Sequence, residues 1–384
     1  MKFIDLFCGI GGFHQALVDL GHECVIACDT DKKCRDVYYK NYGIVPHDNV
    51  KTLNPEEMED FDILCAGFPC QPFSNGGQKR SFEDSRGLLF DEIIRIAAVK
   101  KPEFMFLENV KHIKKVSNGE VFSYILSKLD KTGYYVKTFI MSPHRNGIPQ
   151  LRERVYFVCV RMDIYDKYKR PEIEIVQEQL KINILEKAPD EKYKIGPELM
   201  AVLEAWDELI KNFSIGEKIS PTILIKDYYN RYTDEEYSKI PKWKRDYMVK
   251  NKILIEKYQN VFDEWYKKYN NVLSRRQIYS QLDWQVGPIK QNDSIFKYFI
   301  QVRQSGIRVK TNDSFPTLVA INQTPIYGTE CRYITPRECC RLQCFPETFK
   351  MHESDNVSYK QFGNAVNVFN AKLVIKHTMK YFQC

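Results

Sequence analysis

The chain has no pair of cysteines at CxxC spacing, although it holds twelve cysteines among its 384 residues. A zinc ribbon or a dithiol redox centre would need that spacing, and no recurring disulfide framework takes its place. Cys339, Cys340 and Cys344 cluster, but without a second ligand pair they read as structural thiols, and no metal is expected. Long apolar runs are also missing. The stretches at 61–68 and 104–107 are far too short to cross a bilayer, so no membrane role is expected. The opening residues lack the charged leader and cleavage site of a signal peptide. With reduced thiols, this gives the expectation of a cytoplasmic protein. No internal repeat or low-complexity tract stands out. What is present is an ordinary apolar fraction of 43%, in a length that suits one large domain and a smaller one.

The formal net charge of +7 is modest, and its distribution is more telling. Residues 161–240 carry 13 Lys and Arg against 17 Asp and Glu, whereas 241–310 carry 15 against 6. The basic stretch is interleaved with Trp243, Tyr247, Tyr258, Trp265, Tyr266 and Trp284, a combination that suits a polyanion. A solvated helical face with buried aromatics gives the same pattern.

Up to residue 160, short apolar strands alternate with amphipathic segments. Strands are expected at 2–7, 23–28, 62–67, 104–107, 134–141 and 155–160, with helices from about residue 13 and at 87–99 and 120–131. Such alternation predicts an α/β fold with a mixed, mostly parallel sheet and ligands beyond the carboxyl ends of its strands. From about Arg161 the pattern changes to irregular helices at 198–212 and 241–269. A new ordered region begins near Arg303, and a helical pattern closes the chain.

Two groups of residues fall at strand ends. Phe7-Cys-Gly-Ile-Gly-Gly12 follows the first strand, and its glycines let the backbone approach a ligand closely. Asp29, ending the second strand, is placed to accept hydrogen bonds from a ribose, and Asp48 could face an adenine amino group. A tight turn and two solvated or capping acids are the plain alternative. Gly67-Phe-Pro-Cys-Gln-Pro-Phe-Ser74 follows the third strand and puts Cys70 on a proline-flanked loop, while Glu108 ends the fourth. A lone cysteine is usually a small buried hydrophobe. Paired with an acid, it suits chemistry on cytosine: a thiolate adding at C6 makes C5 nucleophilic, provided the acid assists at N3. Arg152 and Arg154 alternate along the next strand and could hold the base oxygen and adjacent phosphates, or form surface ion pairs with an acid such as Glu153.

Together these residues resemble the DNA cytosine-C5 methyltransferases, most closely those of bacterial restriction–modification systems. The matching strings run in the family's order: Phe7-Cys-Gly-Ile-Gly-Gly12, Gly67-Phe-Pro-Cys-Gln71, Glu108-Asn109-Val110, Gln150-Leu-Arg-Glu-Arg154, Arg337-Glu-Cys-Cys-Arg-Leu342 and Gln361-Phe-Gly-Asn-Ala-Val366. They cover roughly 1–160 and 303–384. The resemblance implies a Rossmann-like methyltransferase fold using S-adenosylmethionine. Cys70 would be the nucleophile, Glu108 the partner of cytosine N3, and Arg154, with Arg152 beside it, a contact to the base. Phe7, Gly9, Gly11, Gly12, Asp29, Asp48, Phe68, Leu89, Asn364 and Val366 would contact the cofactor. Thr30 departs from the pattern, standing where a larger side chain often packs on the adenine.

The implied organisation is a catalytic and cofactor-binding domain at 1–160 and a target-recognition domain at 161–305. A motif-bearing segment at 306–358 would link them, and a helix at 359–384 would return to the first domain. The implied partners are duplex DNA, whose target cytosine leaves the stack, and a restriction endonuclease acting on the same site; the chain is expected to be monomeric. A tRNA cytosine-C5 methyltransferase shares the motif set. A non-catalytic DNA-binding homologue would lack Cys70 and Glu108, both of which are here. An amino-methyltransferase would carry an acid or Asn followed by Pro-Pro and an aromatic, a string not found.

Overall fold

Runs such as Phe3-Ile-Asp-Leu6 and Phe104-Met-Phe-Leu107 show no solvent-facing alternation, the pattern of strands covered on both faces. In the computed structural model, which describes residues 1–69, 89–230, 232–321 and 323–382, they form the middle of a six-stranded sheet. The order along the chain is β1 (Lys2–Leu6), α1 (Gly12–Val18), β2 (Glu23–Cys28), α2 (Lys32–Tyr42), β3 (Ile63–Gly67) and α3 (Leu89–Lys100). There follow β4 (Phe104–Val110), α4 (Glu120–Lys131), β5 (Tyr134–Met141), β6 (Arg154–Arg161) and α5 (Met162–Lys167). In space the strands stand β2-β1-β3-β4-β6-β5. Neighbours are parallel except β6, which runs against both β4 and β5. This is the mixed, mostly parallel sheet that the alternation predicts.

The strand order reverses at β1. The chain goes from β1 to β2 on one side and then returns to place β3 on the other. At such a switch point the loops leaving two adjacent strands part, and a crevice opens between them. The two loops here begin with Phe7 and with Phe68.

The chain divides into two compact units, Met1–Ile184 with Pro336–Cys384, and Leu185–Thr335. These limits differ from the composition-based boundaries at 160 and 305. Residues 161–184 stay with the first unit because Tyr165 stacks on Tyr135 at 3.9 Å and Glu178 binds both Lys376 and His377 at 2.9 Å. Residues 306–335 stay with the second because they supply three strands to its sheet.

The second unit holds α6 (Pro197–Lys211), β7 (Thr222–Leu224), α7 (Ile225–Tyr229), α8 (Asp234–Lys239), α9 (Lys242–Lys257) and α10 (Gln259–Leu273). After these come β8 (Gln281–Gln285), β9 (Phe299–Arg303), β10 (Gly306–Lys310), β11 (Ile326–Tyr327) and β12 (Arg332–Tyr333). α6 buries Leu199, Val202, Leu203, Trp206, Leu209 and Ile210, a stripe at helical spacing, in a core that includes Phe262 and Trp265 of α10. The helix expected at 241–269 is instead two. They break at Tyr258, whose hydroxyl donates to Glu217 at 2.6 Å while its backbone leaves helical geometry.

The chain re-enters the first unit with α11 (Pro336–Leu342), α12 (Asp355–Asn364) and α13 (Val368–Met379), the last packed on α1. The single closing helix expected from residue 359 is corrected to two helices. Ala365 is extended, and Asn367 starts α13 afresh by accepting the Asn370 N–H at 3.0 Å. Among the described residues, no helix is long and apolar enough to cross a membrane.

Candidate active site

The turn after β1 is forced into shape by backbone conformation. Phe7, Gly9 and Gly11 have φ of 54°, 53° and 90°, a left-handed region that glycine enters at little cost and phenylalanine does not. Asp29 fixes this turn to the end of β2. Its Oδ2 accepts the Gly9 N–H and its Oδ1 the Asp31 N–H, each at 2.8 Å. His47 exchanges backbone hydrogen bonds beside Cys28 and Asp29, which brings the exposed Asp48 next to the same strand end.

Val366 closes the group from the far end of the sequence. A Cβ added at Gly12 would lie 2.4 Å from the Val366 carbonyl oxygen, and one at Gly67 would lie 3.1 Å from its Cγ2. The two glycines thus let the break between α12 and α13 sit against the tips of β1 and β3. Asn364 is exposed and lines a cavity of about 150 Å3 with Asp31, Lys33, Cys34, Asn356, Val357, Lys360 and Gln361. Among the described residues, none of the other predicted site residues lines that cavity. Leu89 is half-buried at the start of α3. Phe68 turns its ring into the core, 5.4 Å from Phe90 and 6.4 Å from Phe157, so its side chain serves packing.

β4 runs on to Val110, so Glu108 lies two residues before its end, in register with Gly67 of β3 and with Tyr156 of β6. It is 8% exposed, and Arg154 Nε stands 3.2 Å from its Oε1. Burial pushes the Glu108 carboxyl above the usual carboxylate range, against the opposing pull of Arg154 and Arg152. Cys70 follows Gly67 by three residues in the sequence and lies outside the described residues.

Arg152 behaves differently from Arg154. Its guanidinium is buried and donates to the carbonyls of Gly363 at 3.0 Å and Ala365 at 2.9 Å. The phosphate contact envisaged for this arginine is therefore replaced by a clamp on the backbone before Val366. Three further residues hold the site; Asn109 and Gln150 stand within motif strings, and Gln343 directly follows one. Asn109 donates to the Phe68 carbonyl at 3.0 Å, fixing the chain just past β3, two residues before Cys70 in sequence. Gln150 donates to the Leu342 carbonyl at 2.8 Å, and Gln343 to the Phe362 carbonyl at 2.6 Å.

The family model for C-5 cytosine-specific DNA methylase matches residues 1–380. The chain belongs to that family. Among curated relatives of the methylase, M.NlaX of Neisseria lactamica, a Type II methyltransferase, is 32% identical over 374 residues, covering 96% of this chain and 92% of that one. The Type II methyltransferase M.HhaI of Haemophilus parahaemolyticus is 29% identical over 366 residues, covering 95% and 90%. Among solved structures, a putative DNA modification methyltransferase from an E. coli prophage superposes over all of both chains, with a TM-score of 0.57 and 19% identity. The S. pombe Dnmt2 methyltransferase gives 0.54 and 17%, over 99% of the methylase and 98% of its own chain. At those identities the likeness is one of fold, and it agrees with the α/β methyltransferase architecture.

Proposed function

We propose that this methylase modifies C5 of a flipped-out cytosine in a specific duplex DNA sequence, with Cys70 as the covalent nucleophile and Glu108 as its acid partner. The observation that carries the reading is the buried Glu108, set in register with Gly67 and backed by Arg154 at 3.2 Å. Burial raises this carboxyl's pKa, so it holds its proton to higher pH than an ordinary carboxylate, the direction that assistance at cytosine N3 calls for.

Family membership implies S-adenosylmethionine as methyl donor, and the residues fit it. Gly9 presents a backbone beside which an added Cβ would meet no described residue within 4 Å, so a ligand can approach it. Each Asp29 oxygen has a further lone pair for a ribose hydroxyl beyond the backbone N–H it already accepts. Phe7, Gly11, Gly12, Asp48, Leu89, Asn364 and Val366 complete the proposed cofactor set, with Phe68 contributing backbone only. When bound, the cofactor supplies an electrophilic methyl group that C5 can accept.

The remaining steps belong to the chain. The Cys70 thiolate forms a bond to C6 as Glu108 gives a proton to N3, which places electron density on C5. Once C5 is methylated, its proton passes to water, the Cys70–C6 bond breaks to return the thiolate, and N3 gives its proton back to the Glu108 carboxylate. Arg154 orients Glu108 and stands ready for the base oxygen. DNA affinity comes from cations on phosphates, and sequence choice from side chains of residues 185–335. The reading is tested by incubating duplex DNA with the enzyme and S-adenosylmethionine, followed by bisulfite sequencing. Protected cytosines within one short motif support it. Unmodified DNA beside a modified tRNA would overturn it.

A further inference from the structure

Three consecutive side chains leave the segment before β6 in three directions. Arg152 turns inward to main-chain carbonyls, Arg154 meets Glu108, and Glu153 reaches outward. Its two oxygens are shared between two loops. Oε2 accepts from Lys111 Nζ at 2.8 Å, on the loop after β4, and Oε1 lies 3.8 Å from Arg145 Nη2, on the 143–146 turn before β6.

That acid stands within a run of positive charge. Beyond Glu108 the chain reads Val110-Lys-His-Ile-Lys-Lys-Val116, in which Ile113 and Val116 are buried and Lys111, His112, Lys114 and Lys115 are exposed. Ser117, Asn118 and Gly119, all at positive φ, fix the end of the loop. Lys114 lies over the Phe122 ring at 5.0 Å. Among the described residues, no acid lies within ion-pair distance of His112, Lys114 or Lys115. One carboxylate therefore faces a rim of cations that begins three residues past the proposed acid.

An exposed ion pair contributes at most about 1 kcal/mol to folding, so stability does not account for this arrangement. A rim in which cations outnumber carboxylates is, however, what a phosphate backbone needs. We infer that Glu153 is a positioning residue that holds Lys111 and Arg145 together as a two-loop clamp for DNA phosphates at the edge of the active site. The inference rests on the DNA-methylating reading above.

The test turns on a sign. Simple electrostatics says that Glu153→Gln, by removing a negative charge, tightens DNA binding and steepens its salt dependence. Positioning says the reverse, because Lys111 and Arg145 then repel each other and lose their shared anchor. Equilibrium binding of a duplex carrying the methylated motif, measured from low to moderate salt, separates the two. Lys111→Gln and Arg145→Gln are each expected to flatten the slope of log K against log salt by about 0.9, one phosphate contact apiece. Glu153→Gln should weaken binding and flatten the slope, with S-adenosylmethionine affinity unchanged as the control for folding. Tighter binding by Glu153→Gln, or wild-type slopes in the two cation variants, overturns the clamp. A wild-type enzyme that fails to bind or methylate duplex DNA would instead bring down the functional reading itself.

Discussion

An added Cβ at Gly12 would sit 2.4 Å from the Val366 carbonyl oxygen, whereas one at Gly9 would meet no described residue within 4 Å. Gly12→Ala must therefore push the C-terminal break away from β1, at an overpacking cost of about 1–3 kcal/mol. Gly9→Ala meets only the left-handed backbone penalty of roughly 1–2 kcal/mol, but it places a methyl where the cofactor is proposed to approach. Its S-adenosylmethionine affinity should fall by about tenfold or more, equivalent to about 1.4 kcal/mol, with a smaller loss of melting temperature than Gly12→Ala. Equal affinity in Gly9→Ala and wild type would remove the turn from the cofactor site. For Glu108, the direction of its pKa sets the pH dependence. A carboxyl held protonated above its usual range serves as an acid at low pH and stops serving as pH rises through the raised pKa. The single-turnover rate should fall along that limb. Glu108→Gln should lower the rate by roughly 100-fold or more and abolish the limb, and Cys70→Ala should abolish transfer while DNA binding persists. A Glu108→Gln enzyme with wild-type rate and pH profile would exclude the carboxyl as the acid. The positions of Gly9, Gly12 and Glu108 were legible in the sequence because each follows the apolar run of a strand. The packing of the Phe68 ring on Phe90 and Phe157 was not legible, because backbone and side-chain contacts look alike in a string of letters.

At the scale of elements, the first unit was readable because its strands are long apolar runs separated by amphipathic helices. Two features escaped. The longest strands in the sheet of the second unit are Gln281–Gln285, Phe299–Arg303 and Gly306–Lys310, of only five residues each, and where polar and apolar residues alternate they do so over at most that span. Such short alternation is overshadowed by the helices before it. The break between α12 and α13 is set by partners about 210 residues away in sequence, the Arg152 guanidinium on Gly363 and Ala365, and no local pattern reports them. That clamp makes a prediction. Arg152→Met leaves two carbonyls without this donor in a buried place, at about 1–3 kcal/mol each, and should speed amide exchange around 363–368 while weakening cofactor binding. Arg152→Lys, with a single ammonium in place of a fork, should recover only part of the loss. Unchanged exchange in Arg152→Met would show that α12 and α13 hold the break unaided.

Over the whole molecule, the fold recombines charges that windows of sequence had separated. Lys244, Lys257 and Lys268, from the basic stretch, pair with Asp227, Glu217 and Glu208 from the acidic one. The unit Leu185–Thr335 holds 24 Lys and Arg against 20 Asp and Glu, so the surplus of nine within 241–310 shrinks to four. Its affinity for a polyanion must then depend on where the unpaired cations lie more than on net charge. The same unit is contiguous in sequence and has its own core around Trp206, Phe262, Trp265, Ile300 and Ile307, each at most 3% exposed. The first unit is interrupted, and its sheet needs α13, from the end of the chain, to cover α1. Fragment 185–335 is therefore expected to fold alone, with a cooperative thermal transition and near-ultraviolet dichroism from its buried tryptophans. Residues 1–184 without 336–384 should not do so, because α1 and the Gly12 turn lose their packing partners. The measurement is paired melting of the two fragments. A non-cooperative melt for 185–335 would mean that its core depends on the rest of the chain, and that specificity and catalysis cannot be exchanged between family members by moving this segment alone.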